Sequence, residues 1–346
     1  MHALSLALLL ALAPPTTEDL VKLGEGLAGR GDGKKAIGHL DKALAAADLT
    51  IEQRGRAEKA YGLALLQQKK PGDAAQHLAR AVEALPKDEK AWLLLGVAHD
   101  GAEQYAEAIA AYHKGTTQLP KSPTLKHELG MALLQAGKND EAAKVLVEGT
   151  KLASQDPELA TDAAYALVVV GKHKEAKEQA ALAVSLAPES ADALFNLGSA
   201  EAGLGNAKAA RDALSRALSI DDTHVPSLLQ LAHLDAAAKK HDAAAKGWLR
   251  VLQVEPDNAR AKAGLGIALA QLGTDDVKAK GLLEQTVHVD PKNAQALALL
   301  GDIAERAGDL DQALKRYDAV KKLLPNDAGV KARIEELRAK KKGAKK

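Results

Sequence analysis

The sequence predicts an all-α protein built from repeated helix–turn–helix pairs, and two observations carry this prediction. The first is composition: 47% of the 346 residues are hydrophobic but only 2% are aromatic, which favours close-packed helices over sheets. The second is spacing. Pro86, Pro120, Pro188 and Pro256 each end an apolar segment, and they recur with a period of about 34 residues or twice that length. A Pro at that place cannot continue the helix, so it enforces a turn into the next one.

A glycine divides most of these periods into two helices. In five periods it follows an apolar stretch, at Gly137, Gly171, Gly205, Gly273 and Gly308. Gly can take the left-handed conformation that closes a helix. Each period therefore predicts a first helix, a Gly turn, a second helix and a Pro turn.

One period, residues 89–122, also has large, small and aromatic residues at fixed offsets. They are Trp92, the pair Leu95-Gly96, Ala108, Tyr112 and Pro120. This pattern resembles the tetratricopeptide repeat family. The resemblance implies an all-α fold, a right-handed α-solenoid (superhelix) of about nine helix-turn-helix units within residues 14–327. The nine repeats are 17–50, 55–88, 89–122, 123–156, 157–190, 191–224, 225–258, 259–293 and 294–327.

The segment before the repeats includes an uncharged apolar run from Ala3 to Ala13. A run of this length is too short to cross a bilayer as a helix but suits the core of a signal peptide. Residues 1–13 are therefore predicted to be a signal peptide or, alternatively, an apolar N-terminal segment that covers the first repeat.

The residues after the repeats, 328–346, are predicted to form a capping helix and a basic tail. Val330, Ile334 and Leu337 share one helical face, which would cover the last repeat as arrays of this kind require. The last nine residues carry six Lys and Arg and no acid. Such a tail could bind anionic lipid or nucleic acid, but a solvated helix end is the favoured interpretation.

Charge and cysteine content exclude several classes of protein. Without the six basic tail residues, the chain has 41 Lys and Arg against 46 Asp and Glu, a net charge of −5, which does not indicate specific nucleic-acid binding. The sequence has no Cys, so it has neither a disulfide framework nor a lipid-modified N-terminal Cys.

No motif predicts catalysis. Gly24, Gly26 and Gly29 have dinucleotide-motif spacing but follow no strand, and the eleven His include no zinc-binding pair. The segments outside the repeats, 1–16 and 328–346, are too short to form a catalytic domain. We therefore expect no enzyme activity, no catalytic residues, no cofactor and no metal site.

The resemblance implies that the first helix of each repeat lines a concave groove that binds a peptide or helix. The residues predicted to face it are Leu63, Leu93, Val97, His127, Met131, Tyr165, Phe195, Asn196, Leu229 and His233. These residues suggest an apolar track through the third to seventh repeats; alternatively, they pack against neighbouring repeats. Lys59 occupies the first position of the family's carboxylate clamp, but Leu63 replaces its first Asn.

The resulting functional hypothesis is a non-enzymatic scaffold for protein–protein interaction in a bacterial envelope assembly. The partner is expected to be a protein or peptide. No transmembrane segment is expected, but peripheral association with the envelope is expected. The predicted location is periplasmic or otherwise exported. The alternatives are a cytoplasmic adaptor resembling a co-chaperone, and an accessory subunit of an enzyme complex.

Overall fold

A computed structural model describes residues 15–343, and this part of the chain consists of helices joined by short turns, which confirms the all-α prediction. From α1 to α18, odd-numbered helices are the first helices of the repeats and even-numbered helices the second, and α19 follows the last repeat. They are α1 (Thr17–Gly29), α2 (Gly33–Leu44), α3 (Ile51–Gln67), α4 (Pro71–Ala84), α5 (Glu89–Gly101), α6 (Tyr105–Gln118), α7 (Pro123–Gln135), α8 (Asn139–Leu152), α9 (Pro157–Val169), α10 (His173–Leu186), α11 (Ala191–Gly203), α12 (Ala207–Ile220), α13 (Val225–Ala237), α14 (His241–Val254), α15 (Ala259–Leu272), α16 (Asp276–Val289), α17 (Ala294–Arg306), α18 (Leu310–Leu323) and α19 (Ala328–Gly343). Residues 1–13, with the predicted signal peptide, lie outside the described residues.

The turn inside each repeat uses a left-handed residue, as the mid-period glycines predicted. Gly137 and Gly171, for example, have φ of +72° and +76°. Lys69, Glu103 and Lys239 take the same conformation, with φ near +60°, at the equivalent position of repeats that lack the glycine. The repeat architecture therefore imposes this turn even on residues that disfavour it.

Short polar side chains start the first helices. Asp88 and Ser122, one repeat apart, accept the backbone N–H of Ala91 and Leu125 at 3.0 Å each. These bonds satisfy amide groups that have no partner within the helix. The second repeat differs: α3 begins at Ile51 with Thr50 as its cap. The four residues between 17–50 and 55–88 therefore form the start of that helix.

The helices divide into two compact units at Leu186 and Ala187. In the N-terminal unit, Leu78, Trp92, Tyr112 and Leu125 belong to one continuous core. Gly96 lies against Tyr112, where a Cβ would be 2.2 Å from the ring. This close approach of α5 and α6 leaves no room for a side chain at the Gly of the Leu-Gly pair.

In the C-terminal unit, Trp248 belongs to the core of α13–α15, and α19 closes the last repeat. Ile334 and Leu337 are buried against Tyr317, which confirms the capping helix. The start of the basic tail is part of α19. Its Lys340 donates to Glu305 at 2.6 Å, and Lys341 pairs with Asp311, so these cations bind the last repeat.

No helix between residues 15 and 343 is long and apolar enough to cross a membrane.

Candidate functional site

The first helices lie on the inner side of each unit. Consecutive first helices contact one another directly: α1 to α9 in the N-terminal unit and α11 to α17 in the C-terminal unit. No two second helices of the described residues make a comparably extensive contact. Because a curved stack brings helices together on its concave side, the first helices line that side within each unit.

Three apolar side chains form a column on the concave side of the N-terminal unit. Val97, Met131 and Tyr165 occupy the same position of α5, α7 and α9, which belong to three successive repeats. They are 47%, 41% and 46% exposed. We call these three residues the exposed column. Val169, one turn beyond Tyr165 on α9, is also exposed and extends its apolar surface.

The other predicted residues of this unit are held more firmly by their neighbours. Leu63 and Leu93 are half-buried and pack against the cores of the first four repeats. Lys59, beside Leu63 on α3, forms an ion pair with Asp88, which caps the first helix of the next repeat. These side chains therefore form the base and edge of the surface from which the exposed column projects.

His127 links two repeats beside the exposed column. Its Nε2 lies 2.6 Å from Oδ2 of Asp162 on α9, and both side chains are about one-fifth to one-quarter accessible. The hydrogen bond to Asp162 raises the pKa of His127 above its usual 6.5 against the opposing effect of burial. This hydrogen-bonded pair sits one helical turn from Met131 and Tyr165.

The four predicted residues of the C-terminal unit differ in accessibility. Asn196 is only 2% exposed and is therefore not part of an accessible surface. Phe195 is half-buried, with its ring edge-on to His224 at 5.8 Å, and Leu229 packs against the α13–α15 core. His233 is exposed and stands edge-on to Trp248, with ring centroids 4.6 Å apart.

Sequence reasoning missed a cleft beside His233. It lies between α13, α14 and α15, has a volume of about 510 Å³ and is lined by Trp248, Arg260 and Ile267 among others. The sequence feature that could have indicated this cleft is the pair Ala263-Gly264. The equivalent positions of other repeats carry larger residues, such as Leu93-Leu94 and Phe195-Asn196.

The arrangement suits the binding of a partner. The exposed column offers apolar surface that a partner can remove from water. Within residues 15–343, no group of three or more His, Cys, Asp or Glu side chains is placed to hold a metal ion.

Family models described as "Tetratricopeptide repeat" match most of the sequence. One matches residues 21–89, 62–123, 161–225 and 227–277, and a second matches residues 101–168 and 277–337. Together they match nearly all of the chain between residues 21 and 337. No curated protein matches it significantly.

Solved structures share the fold at low sequence identity. The APC/C hetero-tetramer Cut9–Hcn1 aligns with a TM-score of 0.56 at 14% identity, over 93% of this chain and 62% of that one. The C-terminal part of a TPR repeat-containing protein from Cytophaga hutchinsonii aligns at 0.55 and 14%, over 71% and 99%. A tetratricopeptide repeat protein from Parabacteroides merdae aligns at 0.51 and 15%, over 72% and 98%. These likenesses concern the fold.

Proposed function

Because the chain belongs to the tetratricopeptide repeat family, whose fold is that of a protein–protein interaction scaffold, we propose that the concave side of its N-terminal unit binds an apolar segment of a partner protein. The exposure of Val97, Met131 and Tyr165 carries the proposal. Members of this family are typically non-enzymatic, and we propose the same for this chain.

The exposed column contributes apolar surface to an interaction. Full burial of a Val- or Met-sized side chain stabilises a complex by roughly 1.5–3 kcal/mol. Val97, Met131, Tyr165 and Val169 are 41–47% exposed, so a partner gains roughly half of that value from each. These contacts offset part of the entropy lost on association. Micromolar affinity requires about −8 kcal/mol in all, so the partner segment must also make further contacts with the same unit.

The spacing of the exposed column defines the kind of occupant. Each of its side chains comes from a different repeat, so an occupant that contacts all three must cross α5, α7 and α9 in turn. An extended strand or one face of an amphipathic helix can do this. The His127–Asp162 pair beside the column supplies polar groups for the edge of such a segment.

Photo-crosslinking tests the proposal. A photoreactive amino acid at Val97 in the native organism should capture a partner that mass spectrometry identifies. Adding Met131→Ser and Tyr165→Ser should then reduce capture by at least about tenfold, since two apolar contacts are lost. The matched control is Leu152→Ser with Ile220→Ser, two similarly exposed apolar residues on second helices, which should leave capture unchanged.

The comparison requires folded variants, so far-UV circular dichroism should give the same helical content for all of them. Unchanged capture by the folded Met131→Ser/Tyr165→Ser variant would mean that the exposed column is not the binding surface.

We also propose that the interaction takes place in the bacterial envelope. The support is the apolar run at residues 3–13 followed by Pro14-Pro15, which has the length of a signal-peptide core. N-terminal sequencing of this chain, recovered from the crosslinked complex, tests this in the same experiment. A start near Pro14 in the periplasmic fraction is expected, whereas an intact Met1 in the cytosolic fraction would contradict export.

A further inference from the structure

The cleft between α13, α14 and α15 is a second concave feature, separate from the exposed column. Its walls come from the first helices α13 and α15, and Gln295 of α17 lies at its far end. Its volume of about 510 Å³ is within the range of roughly 300–1,000 Å³ that is usual for ligand sites.

Two small residues open the cleft. Ala263 stands where the two preceding repeats have Phe195 and Leu229, so no large side chain fills this place. At Gly264 a Cβ would lie 2.4 Å from Cε2 of Trp248. The absent side chain lets the indole pack directly under α15, where Trp248 is 1% exposed. The floor is therefore the α15 backbone at Gly264, with the buried indole beneath it.

The charged lining of the cleft has one sign only. Its lining includes Arg260 but neither Asp nor Glu. Arg260 is exposed and forms no ion pair or hydrogen bond with any residue between 15 and 343. The buried Nε1 of Trp248 also lacks a hydrogen-bond acceptor among the described residues. Arg260 is therefore the charged side chain that the cleft presents to a ligand.

His233 does not add a second fixed charge at the rim. Burial, and then the neighbouring Arg260, lower the pKa of His233 below its ordinary value. Its ring is therefore neutral near pH 7 and contributes an aromatic wall, edge-on to Trp248. Arg260 is the one permanent cation among the residues that line the cleft.

We propose that this cleft binds a bulky apolar side chain of a partner segment while Arg260 binds the carboxylate of an adjacent Asp or Glu of that segment. Ala263, Ile267 and Ala268 of α15, which line the cleft, remove the apolar group from water. The guanidinium can grip one carboxylate with two parallel hydrogen bonds. The inference deepens the proposed scaffold function, on which it rests, but it uses the C-terminal unit.

The placement of the two groups favours an internal acidic residue over a chain terminus. Arg260 lies exposed in the first turn of α15, whereas Trp248 lies buried beneath the floor. A side-chain carboxylate on a neighbouring residue can reach outward while the apolar residue points inward. A terminal carboxylate is attached to the Cα of the last residue and has a shorter reach.

Two displayed peptide libraries test the proposal on the full chain. One presents random heptapeptides within a carrier protein and the other presents them with a free C-terminus. The chain is panned as wild type and as Arg260→Gln, Arg260→Lys, Ala263→Leu and Tyr165→Ser. Ala263→Leu fills the cleft with the residue found at the equivalent position 229. Ala181→Leu, at an exposed position of α10, is its matched control.

We expect the internal library to enrich peptides in which a bulky apolar residue adjoins Asp or Glu. Arg260→Gln should remove the acidic preference and weaken an enriched peptide by roughly tenfold in fluorescence anisotropy. Arg260→Lys should keep part of that affinity. Ala263→Leu should abolish binding of the peptide, while Ala181→Leu leaves it unchanged.

Three results would overturn the inference. The first is enrichment without the apolar–acidic pair, and the second is enrichment confined to free C-termini. The third is binding that survives Ala263→Leu. If binding survives Ala263→Leu but is lost in Tyr165→Ser, the exposed column is the binding surface, so the proposed function stands while the cleft proposal fails. If the peptide binds the cleft but no partner is captured at Val97, the cleft proposal stands and the proposal for the exposed column fails.

Discussion

At the scale of the single residue, accessibility on the concave side depends on what the next repeat contributes. Val97, Met131 and Tyr165 share one repeat position and remain exposed. His127, one turn earlier on α7, instead reaches Asp162 of the following repeat. Its protonation is therefore coupled to the contact between two repeats.

That coupling predicts a pH-dependent stability. The pKa of His127 is raised in the folded state, so its contribution is fully present below the unfolded value of about 6.5 and is lost as pH rises through the folded value. His127→Gln should lower the free energy of unfolding by about 1 kcal/mol near pH 5.5, and by less near pH 8.5.

Urea denaturation of wild type and His127→Gln at both pH values measures this difference. His113→Gln, an exposed histidine on α6, is the matched control and should change stability little at either pH. A deficit for His127→Gln that stays equal or grows toward pH 8.5 would contradict the proposed role of the charged pair.

At the scale of the helix, close approach is set by particular glycines. Gly96, in the Leu-Gly pair of the repeat pattern, has the ring of Tyr112 where its Cβ would be, whereas Gly38 in α2, outside that pair, has open space within 4 Å. Both lie inside helices. The physical difference is the presence of a second helix at contact distance.

This difference predicts opposite effects of one substitution. Gly96→Ala should lower the free energy of unfolding by about 1–3 kcal/mol, because the added methyl must displace the Tyr112 ring. Gly38→Ala should raise it by roughly 0.5–1 kcal/mol, because Ala loses less conformational entropy in a helix. Chemical denaturation followed by circular dichroism compares the two, and stabilisation by Gly96→Ala would show that α5 and α6 do not pack as described.

At the scale of the whole molecule, the repeats belong to two compact units, each with its own core. Each unit contains more than three repeats, the number that arrays of this kind generally need to fold. In such arrays stability comes mainly from each repeat and its neighbours. The boundary at Leu186 and Ala187 falls directly after α10, in the turn that ends the repeat 157–190, and so it divides no helix.

We therefore predict that residues 15–186 and 187–346, expressed separately, each keep the helical content per residue of the full chain. Division between Gln104 and Tyr105 is the control, because it separates Trp92 from Tyr112 within one core and should leave residues 15–104 largely unfolded. Far-UV circular dichroism measures both. An unfolded spectrum for either predicted unit would contradict their independence.

The sequence by itself determined the helical class, the repeat register, the left-handed turns and the capping helix, because each depends on local backbone preference or on a short periodic pattern. It also indicated which helix faces point inward. Only the tertiary structure decided that Val97, Met131 and Tyr165 are exposed while Asn196 is buried, and that Lys340 and Lys341 pair with the last repeat. The cleft beside Trp248 was also evident only from the tertiary structure. Accessibility and ion pairing depend on side chains that a different helix or repeat supplies, and those distances are absent from the pattern of any one repeat.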